Sequence, residues 1–229
     1  MATIAENIQT LRSIKSGIKQ AITDKGGSVG NDFKTYAQAI TDLPSGGGNE
    51  DLIDLIERDI TSLTIPDGTT KIGNYAFYYY STLASITIPN SVTEFGKYAF
   101  YYCQALTEAS IGNDVTSIGS FAFYYCSRLK SISIPDATTT IDSYAFTNCK
   151  SLTDVTIGNG VTSIGEGAFE YCDNLKSVTI TATTPPTLGY EGFYRTYCTI
   201  YVPAESVDAY KAATNWSAYA GSIKAIPTV

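Results

Sequence analysis

A phenylalanine returns every 23 residues, at Phe77, Phe100, Phe123, Phe146 and Phe169, each preceded by an alanine. Phe193 follows one residue late, after Gly192. Leu83, Leu106, Leu129, Leu152 and Leu175 keep the same step, and so do Cys103, Cys126, Cys149 and Cys172. A unit this short cannot bury its own apolar side. Equal units stacked in register bury a shared core, each touching only its neighbours. The period therefore restricts the fold to a solenoid, with the Phe and Leu columns as its structural core.

Inside one unit, Ile86-Thr87-Ile88 alternates with the period of a short strand, and Pro89 ends it. Val92-Thr93-Glu94-Phe95 alternates again, and Gly96 allows a sharp turn. The stretch Lys97 to Tyr102 is expected to be a helical or 3-10 turn that drops Ala99 and Phe100 inward. Stacking such units gives short parallel strands joined by helical or 3-10 turns.

The pattern Leu-x-x-Ile-x-Ile-Pro-x-x-Val-x-x-Ile-Gly-x-x-Ala-Phe-x-x-Cys resembles the BspA-type leucine-rich repeat over residues 51–200. The resemblance implies a parallel solenoid, display outside the cell or at its surface, and adhesion to host proteins or other cells, without an active site. The asparagine ladder of ordinary leucine-rich repeats is missing here.

Flanking the solenoid, residues 201–229 read as a C-terminal strand-helix cap with Trp216 as an apolar plug, since a terminal coil otherwise exposes core. At the other end, Thr3-Ile4-Ala5-Glu6 has capping-box form, and Ile4, Ile8, Leu11, Ile18 and Ile22 lie on one helical face. Phe33, Tyr36, Ala37 and Ile40 suggest a second short helix. Residues 1–44 thus form a helical N-terminal module, followed by a Gly-rich linker at 45–50. Two readings stand for this module: a hairpin packed on the first coil, or a docking or homo-oligomerisation unit working through residues 4–22. Its sequence also resembles N-terminal stretches of phage and prophage tail-associated proteins.

Composition removes several functions. The chain has no histidine, so the commonest general base and metal ligand is absent. The formal net charge of −7 speaks against nucleic acid, which requires clustered Lys and Arg. No apolar run approaches a membrane span, and the N-terminus lacks the basic start and apolar stretch of a secretory signal. Carboxylates such as Asp51, Asp54 and Glu57 form no pair in a setting that would raise one pKa. Neither catalytic residues nor a cofactor nor a metal site is expected. A cysteine column whose side chains run parallel suits buried free thiols better than disulfides.

The candidate site is aromatic. Tyr78-Tyr79, Tyr101-Tyr102 and Tyr124-Tyr125 fall at equal places in three successive coils, and Tyr75, Tyr98 and Tyr144 make another column with Phe121 in the gap. They read either as a ladder sealing the wall or as a ligand-binding stripe, since tyrosine joins rigid apolar area to a hydroxyl. A row of hydroxyls at Thr64, Thr87, Ser110, Ser133, Thr156 and Thr179 should face outward from the strands, as a solvated face or a shallow contact surface. The expected function is non-catalytic recognition of a protein or glycan at a bacterial or host surface, from an extracellular, cell-surface or virion-associated location. The alternative is a structural tail-fibre or spacer component of a phage.

Overall fold

The computed structural model describes residues 61–65 and 67–228. The expected N-terminal helical module, the glycine linker, the pairing segment expected at residues 4–22 and the first part of the solenoid lie outside the described residues.

The described chain winds into a parallel-strand solenoid of about seven turns at the 23-residue step. One strand column contains β1 (Ser62–Thr64), β3 (Ser85–Thr87), β5 (Glu108–Ser110), β7 (Ser131–Ile134), β9 (Asp154–Ile157), β11 (Ser177–Ile180) and β13 (Thr199–Val202). A second column contains two-residue strands: β2 (Lys71–Ile72), β4 (Glu94–Phe95), β6 (Ser117–Ile118), β8 (Thr140–Ile141), β10 (Ser163–Ile164) and β12 (Thr187–Leu188). Every pairing is parallel, and equivalent residues of successive repeats face one another, as in Ile132↔Val155 and Ile118↔Ile141. The register follows from the pleat: in β7 the serines are exposed and Ile132 and Ile134 buried, and a one-residue slip would reverse this.

The core between the columns is a set of aligned stacks. Phe77, Phe100, Phe123, Phe146 and Phe169 are buried, and so are Leu83, Leu106, Leu129, Leu152 and Leu175. The phenylalanine rings lie nearly parallel with centroids 4.9–5.2 Å apart, and Phe193 extends the stack. Beyond Phe193 the stack ends on Trp216, fully buried at 5.8 Å, with its Nε1–H donating to the carbonyl of Pro186. Trp216 opens a 3-10 helix (Trp216–Ser222) that follows α1 (Val207–Ala212), and the buried Tyr210 of α1 donates its hydroxyl to Ala182 O. The parallel stack itself runs through β13 to β14 (Ile223–Ala225).

Two expectations are corrected. The segment after the second strand is neither helical nor 3-10. It is a chain of tight turns in which alternate residues bond in different directions. Ala76, Tyr78 and Tyr80 donate back three residues, whereas Tyr75, Phe77 and Tyr79 donate to the next coil, at Lys97, Ala99 and Tyr101. A helix would keep all these donors within the segment; the solenoid uses half of them as a third coil-to-coil ladder. Secondly, the turn at Gly96 needs glycine for space rather than for a positive φ. A Cβ there would stand 2.4 Å from the backbone nitrogen of Asn74, so its role is close approach between coils.

In place of an asparagine ladder there is a threonine one. Thr93, Thr116, Thr139, Thr162 and Thr187 each donate a side-chain hydroxyl to the backbone carbonyl of the threonine one coil earlier. Asn90 and Asp136 accept backbone N–H groups from Asn113 and Asn159 at the next corner.

Candidate functional site

The third ladder has an unusual backbone. Tyr75, Tyr98, Phe121 and Tyr144 have φ of 58–59°, and Tyr79, Tyr102 and Tyr125 have φ of 58–60°. Bulky residues seldom enter this left-handed region, at about 1–2 kcal/mol each. In the later coils Gly167 and Asn148, residue types better suited to this region, stand beside Tyr171, Glu191 and Arg195 at φ of 53–56°. The coil imposes the conformation, and the early coils meet it with tyrosine.

Those side chains stack along the solenoid. Tyr75, Tyr98, Phe121 and Tyr144 form a row with centroids 4.9–5.0 Å apart. Tyr78, Tyr101 and Tyr124 form a second at 5.0 Å, with planes within 10°. Tyr79, Tyr102 and Tyr125 form a third at 4.6–4.8 Å. The first two rows meet at 61–72°, a herringbone whose edge-to-face contacts match the quadrupoles of the rings. All six tyrosines of the candidate site are thus brought together, and the first row joins them.

The terrace is open to solvent at its N-terminal end, where Tyr75 is 55% exposed, Tyr78 44% and Tyr79 49%; in the next two coils the rings are half-buried. The Tyr101 phenol is pushed up to about 12, first by burial and then by Tyr102, Tyr124, Tyr79 and Tyr78 around it. Tyr102 and Tyr124 are raised for the same leading reason. Near neutral pH these three phenols keep their protons. Further on the character of the terrace changes. The Tyr144 hydroxyl donates to Glu166, and burial with Glu191 and Glu166 nearby raises Glu170.

The remaining candidates separate from this surface. Thr64, Thr87, Ser110, Ser133 and Thr156 are exposed on the first strand column, with Thr179 half-buried. All five cysteines are free and buried. Cys103, Cys126, Cys149 and Cys172 each donate Sγ–H to the phenylalanine carbonyl of the previous coil at 3.1–3.2 Å. Thr196 does the same in the last coil, to Phe169 O at 2.7 Å, so the column selects a small buried donor. Cys198 lies outside that column.

Three features escape the sequence reading. The first is an aromatic cluster near the C-terminal coil: Tyr190 is 67% and Tyr197 91% exposed, and the Arg195 guanidinium lies over the rings of Tyr171 and Tyr194. The 24-residue spacing to Phe193 hides it from the repeat. The second is the threonine ladder, which the column Thr93, Thr116, Thr139, Thr162 could have disclosed. The third is a break in the first strand column. Its hydrogen-bonded ladder runs β1-β3-β5 and resumes at β7, with no strand ladder between β5 and β7. A hollow of about 320 Å³ lies there, lined by Ala109, Ile111, Ser131 and Ile132 among others. Ala109 stands where the other coils have Leu63, Ile86, Ile132, Val155 and Val178.

Residues 56–176 match the family described as BspA type leucine rich repeat region, in six copies. Among solved structures, the chain is similar to a T. pallidum leucine rich repeat protein (24% identity, TM-score 0.52), covering 69% of this chain and 81% of that one. It is similar also to the pneumococcal vaccine antigen PcpA (21% identity, TM-score 0.55), covering 74% of this chain and 42% of that one. A leucine rich cell surface protein from Faecalibacterium prausnitzii A2-165 is 33% identical, with a TM-score of 0.49, over 64% of this chain and 48% of that one. The chain thus spans less than half of the latter two. No curated protein matches it. None of these comparisons indicates an enzyme, and no helix among the described residues is long and apolar enough to cross a membrane. A repeat matched in six copies over residues 56–176 places this chain in the BspA-type leucine-rich-repeat family.

Proposed function

We propose that the protein is a non-catalytic binding protein acting at a bacterial or host surface, where it recognises a protein or glycan through Tyr78, Tyr79, Tyr101, Tyr102, Tyr124 and Tyr125. The carrying observation is the tyrosine terrace itself. Three of its six tyrosines, Tyr79, Tyr102 and Tyr125, hold their rings at the surface from left-handed backbone, and strain held by surrounding structure gathers at functional positions. Tyrosine is also the residue best suited to recognition at modest entropy cost. Family membership and a relative described as a vaccine antigen support display at the surface. Pairing of copies through residues 4–22 would convert weak single contacts into avidity.

The test is a glycan array together with capture of surface proteins, run with the full chain and with Tyr101→Ala and Tyr124→Ala. Ligands retained by the wild type should be lost or weakened about tenfold or more in both variants, the scale of a central aromatic contact. Ligands held equally by all three proteins would remove the terrace from the account.

A further inference from the structure

The geometry of the terrace points to one class of ligand, an inference that rests on the terrace being the binding surface. We propose that it docks a proline-rich segment in the polyproline II conformation, laid along the solenoid axis.

Spacing is the first argument. A polyproline II helix rises about 3.1 Å per residue with three residues per turn, so one face returns about every 9 Å. Two coil steps of the row Tyr78, Tyr101, Tyr124 span about 10 Å, each step being 5.0 Å. Alternate rings therefore meet successive turns of such a ligand with a mismatch below about 1 Å. An extended β-strand repeats its side chains on one face about every 6.6 Å, which fits neither one coil step nor two.

Hydrogen bonding is the second. The hydroxyls of Tyr101 and Tyr102 make no hydrogen bond to the described residues, and their protonated state leaves each a donor. A polyproline II chain has no internal hydrogen bonds, so its carbonyls are free to accept, and proline brings no N–H that would need a partner. Surface donors meet ligand acceptors.

Charge and entropy complete the case. Residues 73–82 carry no charge, 96–106 only Lys97 and 119–129 only Arg128. A charged ligand would find few partners here, whereas an uncharged one loses little solvation. Proline-rich chains are already stiff, so docking orders few bonds.

The experiment is a fluorescence anisotropy titration of the full chain with a labelled oligoproline of about ten residues and with a Gly-Ser peptide of equal length. The oligoproline should bind saturably and the Gly-Ser peptide should not. Tyr124→Ala should weaken binding about tenfold or more, and Tyr124→Phe, which keeps the ring and loses the hydroxyl, by less. Thr156→Ala, on the strand face, should leave binding unchanged; melting curves establish that each variant is folded. The proposal is overturned if the two peptides bind alike, if oligoproline does not bind, or if Tyr124→Ala binds as wild type. Failure with oligoproline, while the tyrosine variants still lose a surface protein or glycan, would reject the polyproline assignment and leave the binding surface standing.

Discussion

Phe123 shows what one residue does in a periodic stack. Its ring is fully buried between Phe100 and Phe146, and its backbone N–H donates to Ala145 O at 2.7 Å. Removing it takes a partner from both neighbours at once. Phe123→Ala should cost about 3–5 kcal/mol in urea unfolding; a loss below about 1 kcal/mol would contradict its place in the core. The cysteines give a second residue-level expectation. Burial pushes the thiols of Cys103 and Cys198 up to about 12, and raises those of Cys126, Cys149 and Cys172 as well. An unfolded thiol ionises near pH 8.5, so above that pH the unfolded chain releases protons that the folded one keeps. The thiol contribution to stability is complete below about pH 8.5 and is lost as pH rises toward the folded values. Calorimetry should show a melting temperature falling above about pH 9. A melting temperature that climbs between about pH 9 and 11 would refute this.

At the scale of the element, the two strand columns behave differently from the third ladder. The break between β5 and β7 leaves Ile111 half-buried, whereas Ile88 one coil earlier is buried and donates its N–H to Ser110 O at 2.9 Å. No equivalent bond from Ile111 occurs among the described residues. Its amide should exchange with solvent about tenfold or more faster than that of Ile88; equal protection would mean that the ladder is continuous there. The strands and their register were legible in the sequence, because alternation along Ile86-Thr87-Ile88 and a fixed period leave one way to align the coils. The turn segment was not. An Ala-Phe-Tyr-Tyr stretch has helical composition, and only the coil-to-coil pull on Phe77, Phe100 and Phe123 N–H groups forces left-handed φ at Tyr98 and Tyr102. The candidate tyrosines were legible as columns, but their herringbone order depends on that backbone. Ala109 was visible as a small residue in an Ile/Val column, although the break beside it depends equally on where the neighbouring strand lies.

Across the whole molecule, a stack of equal coils turns a repeated substitution into a surface. The same turn segment sends Phe77, Phe100 and Phe123 inward and the tyrosines outward, so the period that builds the core also spaces the terrace at 4.6–5.0 Å. Because each coil contacts only its neighbours, the outer rings can change without loss of the fold. The third ladder accordingly changes from tyrosine-rich at its start to glutamate-bearing at Glu166, Glu170 and Glu191. The most direct measurement is the binding isotherm of the Tyr101→Ala/Tyr124→Ala double variant on intact cells that the wild type binds, with both proteins folded at the assay temperature. Affinity should fall by at least the roughly tenfold expected of either single variant; because the two rings stack at 5.0 Å, their losses are coupled rather than additive. An isotherm superimposable on that of the wild type would mean that the tyrosines only line the solenoid.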